Sequence, residues 1–369
     1  MTQGPLKAGM LGTGTIAISQ VGYFVGLNEM KEKVIVQAVA DPVVERATGV
    51  AKENGVPEVY ASLDEMLDKS PDLDLVINLT PIPLHAETCL RILQAGKHLI
   101  VEKPIATTME QADELVELAN SKGLKFVVAP PNMLYASRVE ARRLIVDGAI
   151  GQPCFARVRS SHGGPAASYW PLDATWFYQK GSGPLLDMGV YGIHEITGIF
   201  GPAKRVVAFS GITEKIRTHR GGPFKGKKIE VTEDDNTLLM LDFGNSCFAV
   251  IDGTFNVNAS KSPKIEIFGR EGTINMYDQG GPPIEVFRLD AAPGVDGWIT
   301  PRTTGMAFSL AADRDRYHRA VLVDHLATCI REDKHPVCSA EHARHALEIM
   351  IKSIESARTG KAIELTTTF

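Results

Sequence analysis

The residues Glu102-Lys103-Pro104 close an apolar run, His98-Leu-Ile-Val101, and so set one cation at the end of a candidate strand. A lysine at such a place is partly desolvated, and its ammonium stabilises negative charge developing on a nearby oxygen. Two further clusters give it context. Upstream, Gly12-Thr13-Gly14-Thr15-Ile16-Ala17 follows the apolar stretch Leu6–Leu11 and opens a helical pattern. Glycines in a strand-to-helix turn let backbone N–H groups approach a pyrophosphate at a helix N-terminus. Downstream, Asp187, Tyr191 and His194 fall at i, i+4 and i+7 of a predicted helix, Leu185–Phe200, which puts them on one face. That face can exchange a proton. Histidine does so near neutral pH, whereas a phenol of ordinary pKa, about 10, needs a cation to make its proton labile.

The elements that must position these groups follow from periodicity. Residues 6–130 alternate β-rich runs (Leu6–Leu11, Val34–Ala40, Leu73–Thr80, His98–Glu102, Lys125–Ala129) with helical stretches (Thr15–Leu27, Val43–Asn54, Pro83–Ala95, Met109–Lys122). This alternation predicts an α/β fold, a doubly wound parallel sheet of Rossmann type. Asp41 ends its second strand, 29 positions after Gly12. A carboxylate there accepts hydrogen bonds from a ribose diol and repels a 2′-phosphate, so NAD is expected over NADP. Arg46, one helical turn on, is the residue that keeps NADP open.

After Pro130-Pro131 and a helix at Met133–Asp147 the pattern changes to longer strands: Phe155–Ser161, Arg205–Thr213, Thr237–Phe243, Cys247–Asn256, Lys264–Phe268 and Ile284–Leu289. We therefore expect a dinucleotide-binding domain at 1–130. Residues 131–369 are expected to form an α+β domain with a mostly antiparallel sheet, for substrate binding and oligomerisation. Period-2 alternation, as in Val250-Ile-Asp-Gly-Thr-Phe255, implies one covered and one open sheet face, and hence a homo-oligomer, dimer or tetramer. Gln279–Pro301, rich in Gly and Pro, reads as a long loop, and Arg314–Glu332 and Ala340–Thr359 as helices.

The order of these elements resembles that of the Gfo/Idh/MocA oxidoreductases, the group containing glucose–fructose oxidoreductase and inositol dehydrogenases. The likeness rests on Gly12-Thr-Gly14-Thr-Ile-Ala17, Ala40-Asp41-Pro42, Thr80-Pro81 with His85, Ala95-Gly96-Lys97-His98 leading to Glu102-Lys103-Pro104, Gly148-Ala-Ile-Gly151, and Ser182-Gly183-Pro-Leu-Leu-Asp187-Met-Gly189. It implies that Gly12, Thr13, Gly14, Thr15, Ile16, Asp41, Thr80, Pro81, His85, Glu102 and Lys103 contact the cofactor. It implies further that Lys103, Asp187, Tyr191 and His194 are catalytic and line the substrate site, Lys103 orienting or polarising the reacting oxygen. Members commonly show GxHxxD after the aspartate; here Tyr191 stands at the histidine position and His194 at the aspartate position. Tyr191 is thus the first candidate proton carrier and His194 the second. The implied activity is NAD(P)-dependent hydride transfer at a secondary alcohol or ketone of a sugar, sugar derivative or cyclitol. Two alternatives share the fold: glycoside cleavage or isomerisation through transient oxidation, and a non-enzymatic NAD- and sugar-binding regulator, which would be expected to lack the lysine.

Other features set bounds. A net charge of −5 over 369 residues gives no general attraction to nucleic acid. Five scattered cysteines and an N-terminus without a signal-peptide pattern point to the cytoplasm, and no apolar run predicts a membrane span. His162, after the first strand of the second domain, and Trp176, amid Tyr169-Trp170 and Phe177-Tyr178, suit a sugar ring, which shows apolar C–H patches between hydroxyls. The basic run Lys215–Lys228 reads as a solvated face or an anion-binding loop. His335, Cys338, His342 and His345 match no usual zinc spacing, and no metal is expected.

Overall fold

A computed structural model describes residues 4–19, 22–278, 281–302 and 319–369. They fall into two units, Met1–Tyr135 with Gly305–Leu347, and Ala136–Thr304 with Glu348–Phe369. In the first, β1 (Leu6–Leu11), β2 (Val34–Ala40), β3 (Glu58–Tyr60), β4 (Leu75–Asn78), β5 (His98–Val101) and β6 (Phe126–Val128) run parallel in the order β3-β2-β1-β4-β5-β6. Between them lie α1 (Thr15–Ile18), α2 (Tyr23–Leu27), α3 (Val44–Asn54), α4 (Leu63–Lys69), α5 (His85–Gln94) and α6 (Met109–Ser121). The side chains of Leu75–Ile77 and Leu99–Val101 are wholly buried, as strands covered on both faces require. The chain starts in the middle of the sheet at β1, winds outward to β3, then returns to the other side of β1 as β4. The carboxyl ends of β1 and β4 therefore flank the switch point at which such sheets bind ligands.

One helix expected over Thr15–Leu27 is instead two. A Cβ at Gly22 would lie 2.7 and 2.8 Å from the carbonyl oxygens of Ile16 and Ala17, so the backbone folds back there too tightly for a continuous helix.

The second unit holds α7 (Ala136–Val146), α8 (Val190–Phe200) and most of the remaining strands. These are β7 (Pro153–Arg159), β8 (Arg205–Gly211), β9 (Ile216–Thr218), β10 (Lys228–Glu230), β11 (Asn236–Gly244), β12 (Cys247–Thr254), β13 (Ile265–Gly269), β14 (Gly272–Met276), β15 (Glu285–Ala292) and β16 (Val295–Ile299). Eight of them, with β17 (Ile363–Glu364) at one edge, form the nine-stranded sheet β16-β15-β14-β13-β7-β12-β11-β8-β17, antiparallel except for the β7–β12 pair. Strands β9 and β10 make a separate ribbon. Contrary to the loop expected over Gln279–Pro301, whose Gln279 and Gly280 lie outside the described residues, β15 and β16 form a hairpin with Phe287 opposite Trp298. Cross-strand pairing of Val286 with Ile299 and of Phe287 with Trp298 outweighs the glycine and proline content there, and Gly294, at φ +71°, sits in the turn.

Helix α8 packs on β7 and β12, covering one face of the sheet. On the other face Phe155, Phe209, Leu238, Met240, Phe248 and Val250 are exposed, and the register places Phe248 beside Phe155 and Leu238 beside Phe209. The C-terminal α9 (Val321–Arg331) packs on β2, β5 and β6 of the first unit, with Asp324 bonded to Lys33 (2.6 Å). Of the expected helix Arg314–Glu332, residues 314–318 lie outside the described residues. Ser339, just before α10 (Ala340–Thr359), bridges to Val127 and covers the β6 edge.

Candidate active site

The sequence-predicted residues of the first unit gather at the carboxyl ends of β1, β2, β4 and β5. Gly12 leaves β1 at φ +95°, and a Cβ there would stand 2.9 Å from the carbonyl oxygen of Leu79, so only glycine lets this turn lie against the end of β4. A Cβ at Gly14 would meet open space, as a turn that receives a phosphate group requires. Thr13 is buried and donates both its N–H and its hydroxyl to Asp41 Oδ2, each at 2.9 Å. Val43 N–H donates to Oδ1 (2.9 Å), and Arg46 Nη2 lies 2.8 Å from both oxygens. Burial opposes ionisation of Asp41, but the hydrogen bonds from Arg46, Thr13 and Val43 outweigh it and hold its carboxyl below the usual range. An ionised carboxylate is what recognition of a ribose diol needs, so these residues fit the adenosine half of NAD.

After β4, Asn78 Oδ1 accepts from the N–H and hydroxyl of Thr80 (3.2 and 2.8 Å), which fixes the Thr80-Pro81 turn. His85 is buried rather than open to a ligand. Its Nε2 lies 2.9 Å from Thr80 O and its Nδ1 2.7 Å from Pro104 O, so it ties the turn after β4 to the turn that carries Lys103. Both contacts are hydrogen bonds only when both ring nitrogens carry protons. Burial nevertheless holds the His85 pKa below its ordinary value, against the two carbonyls and Glu102. Lys103 itself is half-buried between buried neighbours, and its bond to Pro104 is cis. Glu102 accepts from Arg319 Nε (2.9 Å) and from Tyr23 (3.4 Å). Sequence reasoning missed Arg319 and Asn78.

In the second unit the segment before α8 departs from the expected α-helix. Leu185–Gly189 is a π-helical turn in which Val190 N–H donates to Leu185 O, five residues back, and Asp187 sits inside it. Three glycines let this turn and α8 lie flat on the sheet. A Cβ at Gly189 would meet Leu185 at 2.9 Å, one at Gly192 would meet Val158 at 2.9 Å and Ser160 at 3.0 Å, and Gly253 of β12 faces both Leu185 and Gly189. Ser160 fastens the junction by donating to Met188 O and accepting from Gly192 N–H (3.0 Å). From Val190 to Ile199 every residue is buried except Tyr191, which is half-buried, as is Phe200 at the end of the helix. His194, on the same face, is buried.

His162 belongs to the same neighbourhood. Its Nδ1 accepts from Gly164 N–H (2.8 Å), which leaves the proton of the neutral ring on Nε2, and the ring stacks on Phe255. Burial pushes its pKa down while Asp187 pulls it up. Trp176 is 44% exposed, whereas Trp170, Phe177 and Tyr178 pack with Phe255 and Ile229 into a small separate core. The basic run comprises β9 and the loop that joins it to β10. Arg217 binds Asp235 (2.6 Å) and Lys227 binds Asp173 (2.5 Å), while Lys215, Arg220, Lys225 and Lys228 are exposed. His335 is exposed and Cys338, His342 and His345 are buried; among the described residues no group of His, Cys, Asp or Glu is arranged to hold a metal. No helix among them is long and apolar enough to cross a membrane.

A glycine turn at the switch point of a parallel sheet, with a lysine at the end of the strand two places along, is the arrangement of a dinucleotide-binding Rossmann domain. Residues 6–129 match the NAD-binding Rossmann fold of the GFO_IDH_MocA oxidoreductase family and residues 139–275 its C-terminal domain; the chain belongs to this family. It is 26% identical over 321 residues to trans-1,2-dihydrobenzene-1,2-diol dehydrogenase of Bos taurus, spanning 84% of this chain and 87% of that one. It is 30% identical over 257 residues to levoglucosan dehydrogenase of Pseudarthrobacter phenanthrenivorans, spanning 66% and 64%. A solved levoglucosan dehydrogenase in complex with NADH and L-sorbose shares the fold, with a TM-score of 0.85 at 23% identity over 98% of this chain and 99% of that one.

Proposed function

We propose that the protein is an NAD-preferring dehydrogenase or reductase acting on a secondary alcohol or ketone of a sugar, sugar derivative or cyclitol. The observation that carries this reading is the place of Lys103: half-buried at the carboxyl end of β5, beside β4, whose own end flanks the switch point of the sheet. The names of its relatives, a levoglucosan and a dihydrodiol dehydrogenase, support a polyhydroxylated or cyclic diol substrate.

The N–H groups of Gly14–Ile16 and the Asp41 carboxylate would hold NAD, which would supply the hydride donor or acceptor for the substrate carbon. Lys103 donates to the substrate oxygen and stabilises the charge it gains when its proton leaves. Tyr191, half-buried where its neighbours on α8 are buried, exchanges that proton, with His194 one turn on in the second place. Asp187 and His162 hold neighbouring hydroxyls, the one accepting and the other donating through Nε2–H. Trp176 offers an exposed ring for the apolar face of the sugar. Second copies of the chain cover the open apolar sheet face, giving a homo-oligomer.

The test is NADH absorbance across a panel of sugars, anhydrosugars, cyclitols and cyclic diols, with each cofactor. We expect at least one polyol to reduce NAD stoichiometrically, and Lys103→Met to abolish that turnover. Full turnover by the variant, or cleavage of a glycoside without net NADH, would overturn the reading.

A further inference from the structure

Helix α8 is tied to α7 by charges that the proposed chemistry does not use. Arg138 is 1% exposed and Glu195 wholly buried. Arg138 Nε and Nη2 lie 2.8 and 2.7 Å from Glu195 Oε1, Nη2 also reaches Asp278 (3.1 Å), and Nη1 donates to Ser137 (2.9 Å). Lys264 completes the cluster, 3.0 Å from Asp278 and 3.7 Å from Glu195. One turn further along α7, Arg142 donates to the carbonyl of Gly198. Two cations and two carboxylates balance, so no net charge is buried.

Such a pair is a poor source of stability, because desolvation offsets the attraction and apolar side chains of similar volume pack about as well. What it supplies that apolar contacts do not is direction. Direction matters here because the turn that leads into α8 is π-wound. That turn holds one more residue than an α-turn, so a one-residue slip would convert it to regular winding and rotate everything after it by about 100°. Gly192 resists that rotation sterically, through Val158 and Ser160, but the buried Ile193, Ile196 and Ile199 would tolerate it. Glu195 would not, since it would leave Arg138 with only the half-exposed Asp278 as a counter-charge.

We propose that Arg138 and Glu195 lock the winding register of α8 downstream of the π-turn, and are thereby positioning residues for Tyr191 and His194. Glu195 directly follows His194, so a register that seats Glu195 on Arg138 also fixes where the imidazole and the phenol point. The inference rests on the site proposed above.

The experiment replaces the pair by apolar groups, R138M/E195L, and compares melting temperature, KM for NAD and kcat on a polyol substrate. A lock predicts a protein that melts within a few degrees of the parent and keeps its KM for NAD, while kcat falls about tenfold or more because the reacting groups are misplaced. Parental kcat in the folded double variant overturns it. Should that variant fail to fold, E195Q and E195A decide. The amide keeps an acceptor for the guanidinium and retains kcat, the alanine does not, and equal kcat in the two overturns the lock. K103M in the parental background separates the two ideas: if it stays active, the fault lies with the site assignment rather than with the register.

Discussion

Arg46 sets one guanidinium nitrogen 2.8 Å from each carboxylate oxygen of Asp41. Thr13 and Val43 already donate to the same oxygens, so a ribose diol must take a place that a protein donor now holds. Arg46, half-exposed, is the donor that can leave. Freed from Asp41, it can also meet a 2′-phosphate. Arg46→Ala is therefore expected to leave the KM for NAD within about twofold and to lower kcat/KM for NADP about tenfold, the worth of one charge-assisted hydrogen bond. Asp41→Ala should move the ratio the other way by removing the repelling carboxylate. Steady-state kinetics with both cofactors check this; an unchanged ratio in Arg46→Ala would remove Arg46 from cofactor selection.

What the sequence revealed of this region depended on how local its cause was. Strands β1, β2, β4 and β5 were legible because burial on both faces writes an unbroken apolar run, and Gly96 and Gly123 marked the ends of α5 and α6, where they adopt φ of +74° and +65°. Asp41 was legible from its place after β2. The helix carrying Tyr191 and His194 was legible from its spacing, but the π-turn that holds Asp187 was not, since that winding answers to Ser160, Gly253 and the sheet beneath as well as to its own residues. Arg319 and Arg138 escaped because their partners lie 217 and 57 positions away. Arg138 did leave a signal: it shares a buried row of α7 with Ala141 and Leu144, where an unpaired cation would not be tolerated.

Acid should loosen the packing of α9. His325 Nε2 accepts from Val337 N–H (2.9 Å), a bond that only the neutral ring can make, and burial pushes its pKa down to about 4. The folded value lies below the unfolded one, near 6.5, so the unfolded chain binds the proton first as pH falls. The stabilisation is complete above pH 6.5, is lost as pH drops through the interval towards 4, and changes no further below it. At most it amounts to about 3 kcal/mol, less what partial exposure screens. His325→Gln keeps an acceptor and cannot ionise, so its melting temperature should fall less between pH 7 and pH 4.5 than the parent's. Parallel curves would show that His325 does not titrate in this window.

Two glycines in helices should respond to substitution with opposite signs. Gly192 has Val158, Ser160 and Ile251 within 3.2 Å of where a Cβ would stand, whereas Gly49 in α3 has nothing within 4 Å. Gly192→Val forces α8 off the sheet, with an expected loss of about 3 kcal/mol in denaturant unfolding and a matching fall in kcat. Gly49→Ala should gain about 0.5–1 kcal/mol, since only the flexibility of the unfolded chain and helix propensity change. A neutral Gly192→Val would mean that α8 does not rest on β7 and β12 as closely as the structure has it.

The open face of the large sheet gives the last expectation. Phe209 is 78% exposed in β8, opposite Leu238 of β11, and Phe155, Phe248 and Val250 continue the apolar surface across β7 and β12. Apolar side chains on alternate positions of four neighbouring strands form one patch rather than scattered contacts, and a patch of that kind favours a self-complementary partner. Arg157, in register with Val250, adds a charge to this face and sits over the stacked rings of Phe155 and Phe268. Phe209→Glu together with Leu238→Lys should therefore leave the fold intact, since neither side chain enters a core, while lowering the mass measured by light scattering to that of a smaller assembly. The substitutions lie on the face opposite α8, so kcat should survive if the site is complete within one chain. A parent that is already monomeric, or an assembly that the two charges leave unchanged, would move the oligomer interface elsewhere.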